Sequence, residues 1–329
     1  MTQVAKVIPL NPGARRATSR RGPLPIQQHS VEPFELPVPE APSNGFVDGL
    51  RNALIGQVTG TAEYLRRRVT GDYDVDDFGF DPHFADNVVL PLLRPLFDKW
   101  FRVEVRGIEN IPSDGRALVV ANHAGTLPVD ALMTSVAVHD HANRPLRMLA
   151  ADLAFDMPVV GTVARKAGHT LACHPDAERL LRQDQVVAVF PEGYKGLGKP
   201  FRERYKLQRF GRGGFVSAAL KTQAPIVPCS IVGSEEIYPN LADLTSLARL
   251  LGLPYFPVTP LFPMLGPLGL VPLPSKWCIE FGTPITTDVY DEAEAEDPMV
   301  LFEVTDHVRE TSQQTLYKLL TRRRNVFLG

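Results

Sequence analysis

Several features that define common enzyme and secreted classes are missing from this sequence of 329 residues. No Gly-x-Ser-x-Gly segment occurs, which excludes the serine nucleophile elbow of α/β-hydrolases. The three cysteines, Cys173, Cys229 and Cys278, have a spacing that suits neither a zinc site nor a disulfide framework. The formal net charge is only −2, so the composition does not favour nucleic-acid binding. We expect reduced core cysteines, no metal and no nucleic-acid partner.

The most informative segment is an apolar run, Ala117–Ala121, that is typical of a buried strand and ends in Asn122 and His123. A short turn follows, and Asp130 lies in the first turn of the next helical pattern. A histidine held by an aspartate forms a general-base pair, because the carboxylate fixes the imidazole tautomer and stabilises the imidazolium. Without an enzyme nucleophile, this base would activate a hydroxyl of the substrate. The pattern therefore indicates group transfer rather than hydrolysis.

A second apolar run, Val187–Phe190, ends in a turn that contains Glu192, Gly193 and Lys195. Because the carboxyl ends of parallel strands meet at one edge of a sheet, we expect these residues beside His123. A basic stretch follows, with Lys206, Arg209 and Arg212 before a glycine-rich helix start, and it favours an anion site.

The third apolar run, Pro225–Val232, contains Pro228, which would suit an edge strand or a bulge near the site. Ser234 follows this run with two glutamates, and we expect it to cap a helix.

These three segments resemble, in order and spacing, the motifs of the glycerolipid (lysophospholipid, PlsC-like) acyltransferase family. The resemblance covers about Phe101 to Ile285, more than half of the chain. Six residues separate His123 from Asp130, whereas the usual family motif has four, so the chain resembles a sub-branch with a longer turn. The family commonly has Thr-Arg-Ser where this chain has Tyr194, Lys195 and Gly196, and lysine keeps the charge but loses the bidentate fork of arginine. The matching motifs are Asn122-His123 with Asp130, Phe190-Pro191-Glu192-Gly193 and Ala224-Pro225-Ile226-Val227-Pro228.

The resemblance implies transfer of a fatty acyl group from an acyl thioester, of coenzyme A or acyl carrier protein, to a hydroxyl of a glycerolipid acceptor, with no cofactor. It assigns the general base to His123 and the orienting carboxylate to Asp130, with an oxyanion held by backbone N–H groups near Gly193 or in the Asn122–Gly125 turn. Lysophosphatidate or another lysophospholipid is the favoured acceptor, and the altered turn leaves a neutral acceptor such as diacylglycerol open. The predicted substrate-binding residues are Asn122, Gly125, Glu192, Gly193, Lys195, Lys206, Arg209, Arg212 and Pro228.

Strand patterns alternate with helical patterns, which predicts an α/β fold with a mixed, mainly parallel sheet covered by helices on both faces and an N-terminal helical appendage. The sequence divides into a basic, proline-rich arm (1–44), an amphipathic helical segment (45–101), the catalytic domain (102–286) and an acidic linker with a terminal helix (287–329). We expect no signal peptide, because prolines and arginines interrupt the first residues.

Leu250–Ser275 is a stretch of 26 residues without a charge, and its seven prolines exclude a transmembrane helix. We expect an irregular apolar loop with Tyr255, Phe256 and Phe262 exposed or nearly so, in contact with lipid or an acyl chain, although packing inside the fold is an alternative. The helical pattern of Phe84–Phe101 has an apolar face that either the core or lipid would cover. Together these segments predict peripheral association with the cytoplasmic side of a membrane.

Two different classes of function stay open at this stage. A hydrolase would use the same histidine and aspartate to activate water, and a lipid-binding protein would keep the fold without turnover. His139-Asp140-His141 resembles a metal motif only superficially, since we expect it in a polar loop without a third ligand.

Overall fold

Strand β2 (Ala117–Ala121) lies at the centre of the fold, and all five of its residues are buried. A strand buried on both faces must be apolar at every position, which explains the uninterrupted Ala-Leu-Val-Val-Ala run. β2 pairs in parallel with β5 (Val186–Val189) on one side and with β6 (Ile226–Val232) on the other. The end of β2 is therefore flanked by the ends of two further parallel strands.

The structure is a computed structural model that describes residues 66–67, 74–211, 213–291 and 293–329, which belong to one compact unit, Gly49–Gly329. The predicted basic arm, nearly all of the first amphipathic helix and Arg212 lie outside the described residues.

Seven strands within the described ranges form one sheet in the order β1-β9-β6-β2-β5-β3-β4. Five neighbouring strands, from β6 to β4, run parallel, and β9 pairs antiparallel with β6 while β1 runs parallel to β9. A small hairpin of β7 and β8 lies apart from this sheet. The strands are β1 (Glu104–Arg106), β2, β3 (Leu146–Ala150), β4 (Thr170–Leu171), β5 (Val186–Val189), β6 (Ile226–Val232), β7 (Ala242–Asp243), β8 (Pro257–Val258) and β9 (Cys278–Phe281).

Successive residues of β2 face two separate apolar cores. Val119 belongs to a core with helix α1 (Val129–Ala142) and the N-terminal helical segment (82–100). Leu118 belongs to a core with helices α4 (His174–Arg182), α6 (Gly214–Thr222) and α8 (Pro298–Arg322). The predicted α/β class, with a mixed, mainly parallel sheet and helices on both faces, is confirmed. The helices are α1 (Val129–Ala142), α2 (Asp152–Asp156), α3 (Val160–Lys166), α4 (His174–Arg182), α5 (Tyr194–Leu197), α6 (Gly214–Thr222), α7 (Thr245–Leu250) and α8 (Pro298–Arg322).

The N-terminal helical segment consists of α-helical Pro82–Phe84 and Leu90–Pro95, each followed by a π-helical stretch, Ala85–Val89 and Leu96–Trp100. Proline in a helix removes a backbone donor and crowds the preceding turn, and a wider π-turn is one way to relieve that crowding. Phe97 of this segment is buried in the first core, whereas Leu92 is 71% exposed. The sequence did not decide whether the core or lipid covers the apolar face of this segment, and in the structure the core covers most of it.

Two sequence expectations about surface segments were wrong. His139, Asp140 and His141 lie inside α1 and not in a loop, because this helix continues until Asn143 ends it in the left-handed conformation that asparagine tolerates. The aromatic residues of the proline-rich stretch are half-buried, and the rings of Phe256 and Phe262 contact each other with centroids 5.5 Å apart.

The exposed side chains of the proline-rich stretch are aliphatic. Leu250, Met264 and Leu268 are 80%, 85% and 71% exposed. We call Leu250–Val271 the aliphatic segment. No helix in the described ranges has the length and apolar character needed to cross a membrane.

Candidate active site

His123 and Asp130 form a direct hydrogen bond at the carboxyl end of β2. The His123 Nδ1 atom lies 2.9 Å from Asp130 Oδ2, and the side chains are 10% and 0% exposed. The same carboxylate accepts the backbone N–H groups of Ala124 at 2.8 Å and Ala131 at 2.9 Å. The Asp130 carboxylate can only accept hydrogen bonds when it is ionised, so His123 donates to it through Nδ1–H, as the two backbone N–H groups do. The Nε2 atom is then the basic nitrogen of the ring.

The turn between these residues accommodates its two additional positions through left-handed backbone. Gly125 has φ +92° and Thr126 has φ +65°. A Cβ atom at Gly125 would lie 2.4 Å from the carbonyl oxygen of Ser234, so this position requires glycine on two grounds. The longer turn thus preserves the contact between the ring and the carboxylate.

Asn122 fixes the start of this turn against β6. Its amide Nδ2 donates to the Ile231 carbonyl at 3.0 Å, and its Oδ1 accepts the Ile231 N–H at 2.7 Å. Asn122 is 1% exposed, which suits an anchor for the turn. Its predicted role in binding substrate stays a prediction.

Glu192 connects the second motif to His123 through the backbone. Its Oε1 accepts the His123 N–H at 2.9 Å, and its Oε2 accepts the Gln208 N–H at 2.6 Å. The ring of Phe190 lies beside the imidazole, with centroids 4.6 Å apart. The second motif therefore lies beside His123, as the topology of parallel strands led us to expect.

Gly196 permits the close approach of these two motifs. A Cβ atom there would lie 2.4 Å from the His123 carbonyl oxygen and 2.8 Å from the Glu192 Cβ. In the sequence, this glycine stands only as a replacement for the serine that the family commonly has. The structure shows that a larger side chain at this position would collide with His123 and Glu192.

A buried cluster of charged residues beyond Glu192 was not predicted. The Lys199 Nζ lies 2.9 Å from Glu235 Oε1 and 3.8 Å from Glu192 Oε2, and all three side chains are at most 5% exposed. Burial raises the pKa of the Glu235 carboxyl to about 7, and the ammonium of Lys199 opposes that rise. Burial also raises the pKa of Glu192.

The expected cap at Ser234 was wrong, because Gly233 precedes the short helix and the Ser234 hydroxyl has no partner among the described residues.

Several backbone donors that were considered for the oxyanion are already occupied. The N–H of Gly193 donates to the Phe190 carbonyl at 3.0 Å, while those of His123 and Ala124 donate to Glu192 and Asp130. In the Asn122–Gly125 turn, the Gly125 N–H has no acceptor within the described ranges.

The remaining predicted binding residues differ in position. Lys195 and Arg209 are exposed, and no hydrogen bond or ion pair joins their side chains to another described residue. Lys206 lines a separate cavity at the C-terminal end of α8. Pro228 is buried within β6, so a direct contact with substrate is not supported by its position.

Pro228 lies beside an irregularity in the pairing of β6 with β9. Its carbonyl accepts the Gly282 N–H at 2.7 Å, and Ile226 pairs with Ile285. Two positions on β6 thus oppose three on the partner strand, which is a bulge. Proline has no N–H to donate, and Pro228 lies where the regular pairing of β6 with β9 ends. The predicted bulge is therefore confirmed. The predicted edge strand was wrong, because β6 lies between β9 and β2.

Comparison with known proteins adds to this geometry. The family model described as Acyltransferase matches residues 102–232. An uncharacterized protein of Mycobacterium tuberculosis is 68% identical over 280 residues, which are 84% of this chain and 78% of that protein. This chain belongs to the PlsC-like acyltransferase family. It is an O-acyltransferase of the glycerolipid type.

Two further proteins are related to this acyltransferase more distantly. A human protein named DGAT1/2-independent enzyme synthesizing storage lipids is 29% identical over 132 residues, which are 39% of each chain. The crystal structure of the 1-acyl-sn-glycerophosphate (LPA) acyltransferase PlsC from Thermotoga maritima matches with a TM-score of 0.51 and 21% identity, over 74% of this chain and 83% of that one. The structural match confirms the fold.

Proposed function

We propose that this acyltransferase moves a fatty acyl group from an acyl thioester to a hydroxyl of a glycerolipid acceptor at a membrane surface. The observation that supports the proposal best is the contact between His123 and Asp130 at the end of β2. It leaves the Nε2 atom of a largely buried imidazole as the base, and no nucleophile elbow competes for it.

In the proposed reaction, His123 Nε2 takes the proton from the acceptor hydroxyl while its oxygen attacks the thioester carbonyl carbon. The carbonyl electrons move to oxygen, and a backbone N–H of the Asn122–Gly125 turn would stabilise that charge, with the Gly125 N–H available. The C–S bond then breaks, and the leaving thiolate takes the proton from the imidazolium. The products are an ester and a free thiol, of coenzyme A or of acyl carrier protein.

A lysophospholipid such as lysophosphatidate is the acceptor we propose first. Lys195 lies two residues after Gly193, at the start of α5, and Arg209 follows the residue that donates to Glu192. Both cations are exposed and would attract the phosphate of such an acceptor. The name of the Thermotoga protein, an LPA acyltransferase, agrees with this choice.

A neutral acceptor such as diacylglycerol is the second candidate. The human relative is named for the synthesis of storage lipids, and Lys195 replaces the arginine that the family commonly uses. A neutral acceptor would not need the bidentate fork that arginine supplies.

We further propose that the aliphatic segment binds the membrane from its cytoplasmic side. Its side chains combine high exposure with the absence of any charge between Leu250 and Ser275, which is unusual for a water-facing surface. Transfer of these side chains into the lipid interface would bury their apolar area.

Thiol release from acyl-CoA by the full chain in detergent micelles tests the reaction. The acceptors would be glycerol 3-phosphate, lysophosphatidate, other lysophospholipids and diacylglycerol, each compared with no acceptor. We expect release that depends on an acceptor and falls at least about a hundredfold in His123→Ala. Release without any acceptor would support a thioesterase instead, and undiminished release in His123→Ala would refute the proposal.

A further inference from the structure

A cavity of about 440 Å³ lies where the loop before Leu207 meets the C-terminal end of α8. Its lining includes four cations and one carboxylate. The cations come from two basic stretches that lie far apart in the sequence, and the fold brings them to one place. The charged lining residues are Arg204, Lys206, Arg323, Arg324 and Glu236.

Arg323 and Glu236 form the fixed wall of this cavity. The Arg323 Nη1 lies 2.9 Å from Glu236 Oε1, and the Tyr205 hydroxyl donates to Glu236 Oε2 at 2.5 Å. Arg323 also donates to the Lys276 carbonyl at 2.9 Å. Glu236, the only carboxylate among the described lining residues, is thus neutralised by Arg323. The Nε atom of Arg323 is buried and has no acceptor in the described part of the chain.

The other three cations are not neutralised by protein carboxylates in the described ranges. Arg204 lies over the Phe201 ring, 4.5 Å from its centroid, and donates to a backbone carbonyl. Lys206 and Arg324 are exposed at the cavity. Like charges held around one concave space repel each other, and an anion bound between them would remove that repulsion.

The cavity wall is held in place before any ligand binds. Gln313 of α8 accepts the Leu207 N–H at 2.9 Å and donates to the Tyr205 carbonyl at 2.8 Å. Tyr205 in turn donates its hydroxyl to Glu236. A rigid site loses less conformational freedom on binding than a mobile one.

We propose that this cavity binds a phosphate group, carried either by a small soluble molecule or by a lipid headgroup. Guanidinium groups match the oxygens of a phosphate, and lysine adds a point charge. The volume is within the range of small-molecule sites, and Tyr317 and Leu320 provide a less polar wall for the remainder of the ligand. The proposal goes beyond the transfer reaction, because binding needs neither a thioester nor an acceptor hydroxyl.

Isothermal titration calorimetry of the full chain at low ionic strength tests the proposal with three probes. Inorganic pyrophosphate represents free phosphate, adenosine 3′,5′-bisphosphate represents a nucleotide without a thioester, and phosphatidate in phosphatidylcholine vesicles represents a headgroup. The test variant is Lys206→Gln/Arg324→Gln. The control, Arg202→Gln/Arg322→Gln, removes the same charge from the same two basic stretches but from residues that do not line this cavity.

We expect at least one probe to bind the unmodified protein, with affinity about tenfold or more lower in the test variant and unchanged in the control. The probe that binds identifies the source of the phosphate. A second variant, Lys195→Gln/Arg209→Gln, should retain this binding, which separates the cavity from the acceptor site near His123. Equal losses in test and control variants, or no binding of any probe, would overturn the proposal. Neither result depends on whether His123→Ala abolishes transfer.

Discussion

The Glu192 carboxylate accepts the backbone N–H of His123 at 2.9 Å, so Glu192 holds the base by its main chain and not by its ring. The ring itself is held by Asp130. Two carboxylates therefore fix one histidine from different sides, and only one of them contacts the imidazole. Because only Asp130 contacts the imidazole, substitution at Asp130 should disturb the orientation of the ring.

Asp130→Asn should lower turnover by about two to four orders of magnitude with little effect on donor affinity. Asparagine has one acceptor oxygen for the three donors that meet at Asp130, so the imidazole loses its orientation. Steady-state kinetics with varied acyl-CoA would separate kcat from KM. Thr134→Ser, in the same helix turn, is the control, and turnover near the unmodified level in Asp130→Asn would show that the pairing has no catalytic role.

Gly196→Ala should lower both activity and stability, because its methyl group would lie 2.4 Å from the His123 carbonyl oxygen. We expect a loss of about 1–3 kcal/mol in the free energy of unfolding, as for other overpacked sites. Urea denaturation and kcat would be measured together. Gly115→Ala is the control, since its Cβ would meet nothing within 4 Å and only its left-handed backbone is strained. Equal kcat in the two variants would contradict the proposed close approach.

The stability of the protein should depend on pH through Glu235. Burial raises its pKa from 4.5 to about 7, so folding takes up a proton between these values. The stabilisation is fully present below the pKa that Glu235 has in the unfolded chain, near 4.5, and it is lost as the pH rises through its pKa in the folded protein, near 7. The free energy of unfolding should fall by about 3 kcal/mol over this range. Urea denaturation from pH 4 to pH 8 should show a shallower decline in Glu235→Gln than in the unmodified protein. Glu203→Gln, an exposed control, should decline in parallel with the unmodified protein. Parallel curves for all three proteins would disprove the assignment.

Replacing three side chains of the aliphatic segment should weaken binding to liposomes. Leu250→Gln/Met264→Gln/Leu268→Gln removes apolar surface that is 71% to 85% exposed, so the fold should tolerate it. We expect at least a tenfold lower membrane partition, with a burial contribution of about 1.5–3 kcal/mol for each side chain that fully inserts.

Liposome flotation would measure this partition. The matched control is Val289→Gln/Met299→Gln/Leu328→Gln, whose side chains are 73%, 74% and 85% exposed outside that segment. Equal retention of both variants would assign membrane contact to another part of the chain.

The sequence was sufficient to predict the features that depend on strand ends. His123 and Glu192 each follow an uninterrupted apolar run, and parallel topology brings such ends together. The terminal helix was also predicted, because its apolar residues recur at helical spacing. The structure adds the capping of its start by the Asp297 side chain.

The buried charges could not be predicted in the same way. Lys199 lies in a turn with no periodic pattern, and its partner Glu235 lies in a different motif, so only the tertiary fold brings them into contact. The half-buried aromatic rings of the proline-rich stretch depend on long-range packing too, since prolines and glycines remove the spacing that would indicate an inward face.

The two hydrogen bonds between Asn122 and Ile231 have a consequence for tolerance to substitution. A carboxamide is a copy of the peptide group, so Asn122 lets the ladder between β2 and β6 continue for one more rung through a side chain. The main chain is released at that rung and can turn toward Asp130. Aspartate would place a carboxylate against the Ile231 carbonyl oxygen, which repels it. Leucine, of similar size, would leave the N–H and the carbonyl of Ile231 without hydrogen-bond partners. Only a side chain that both donates and accepts at this reach can end the strand here.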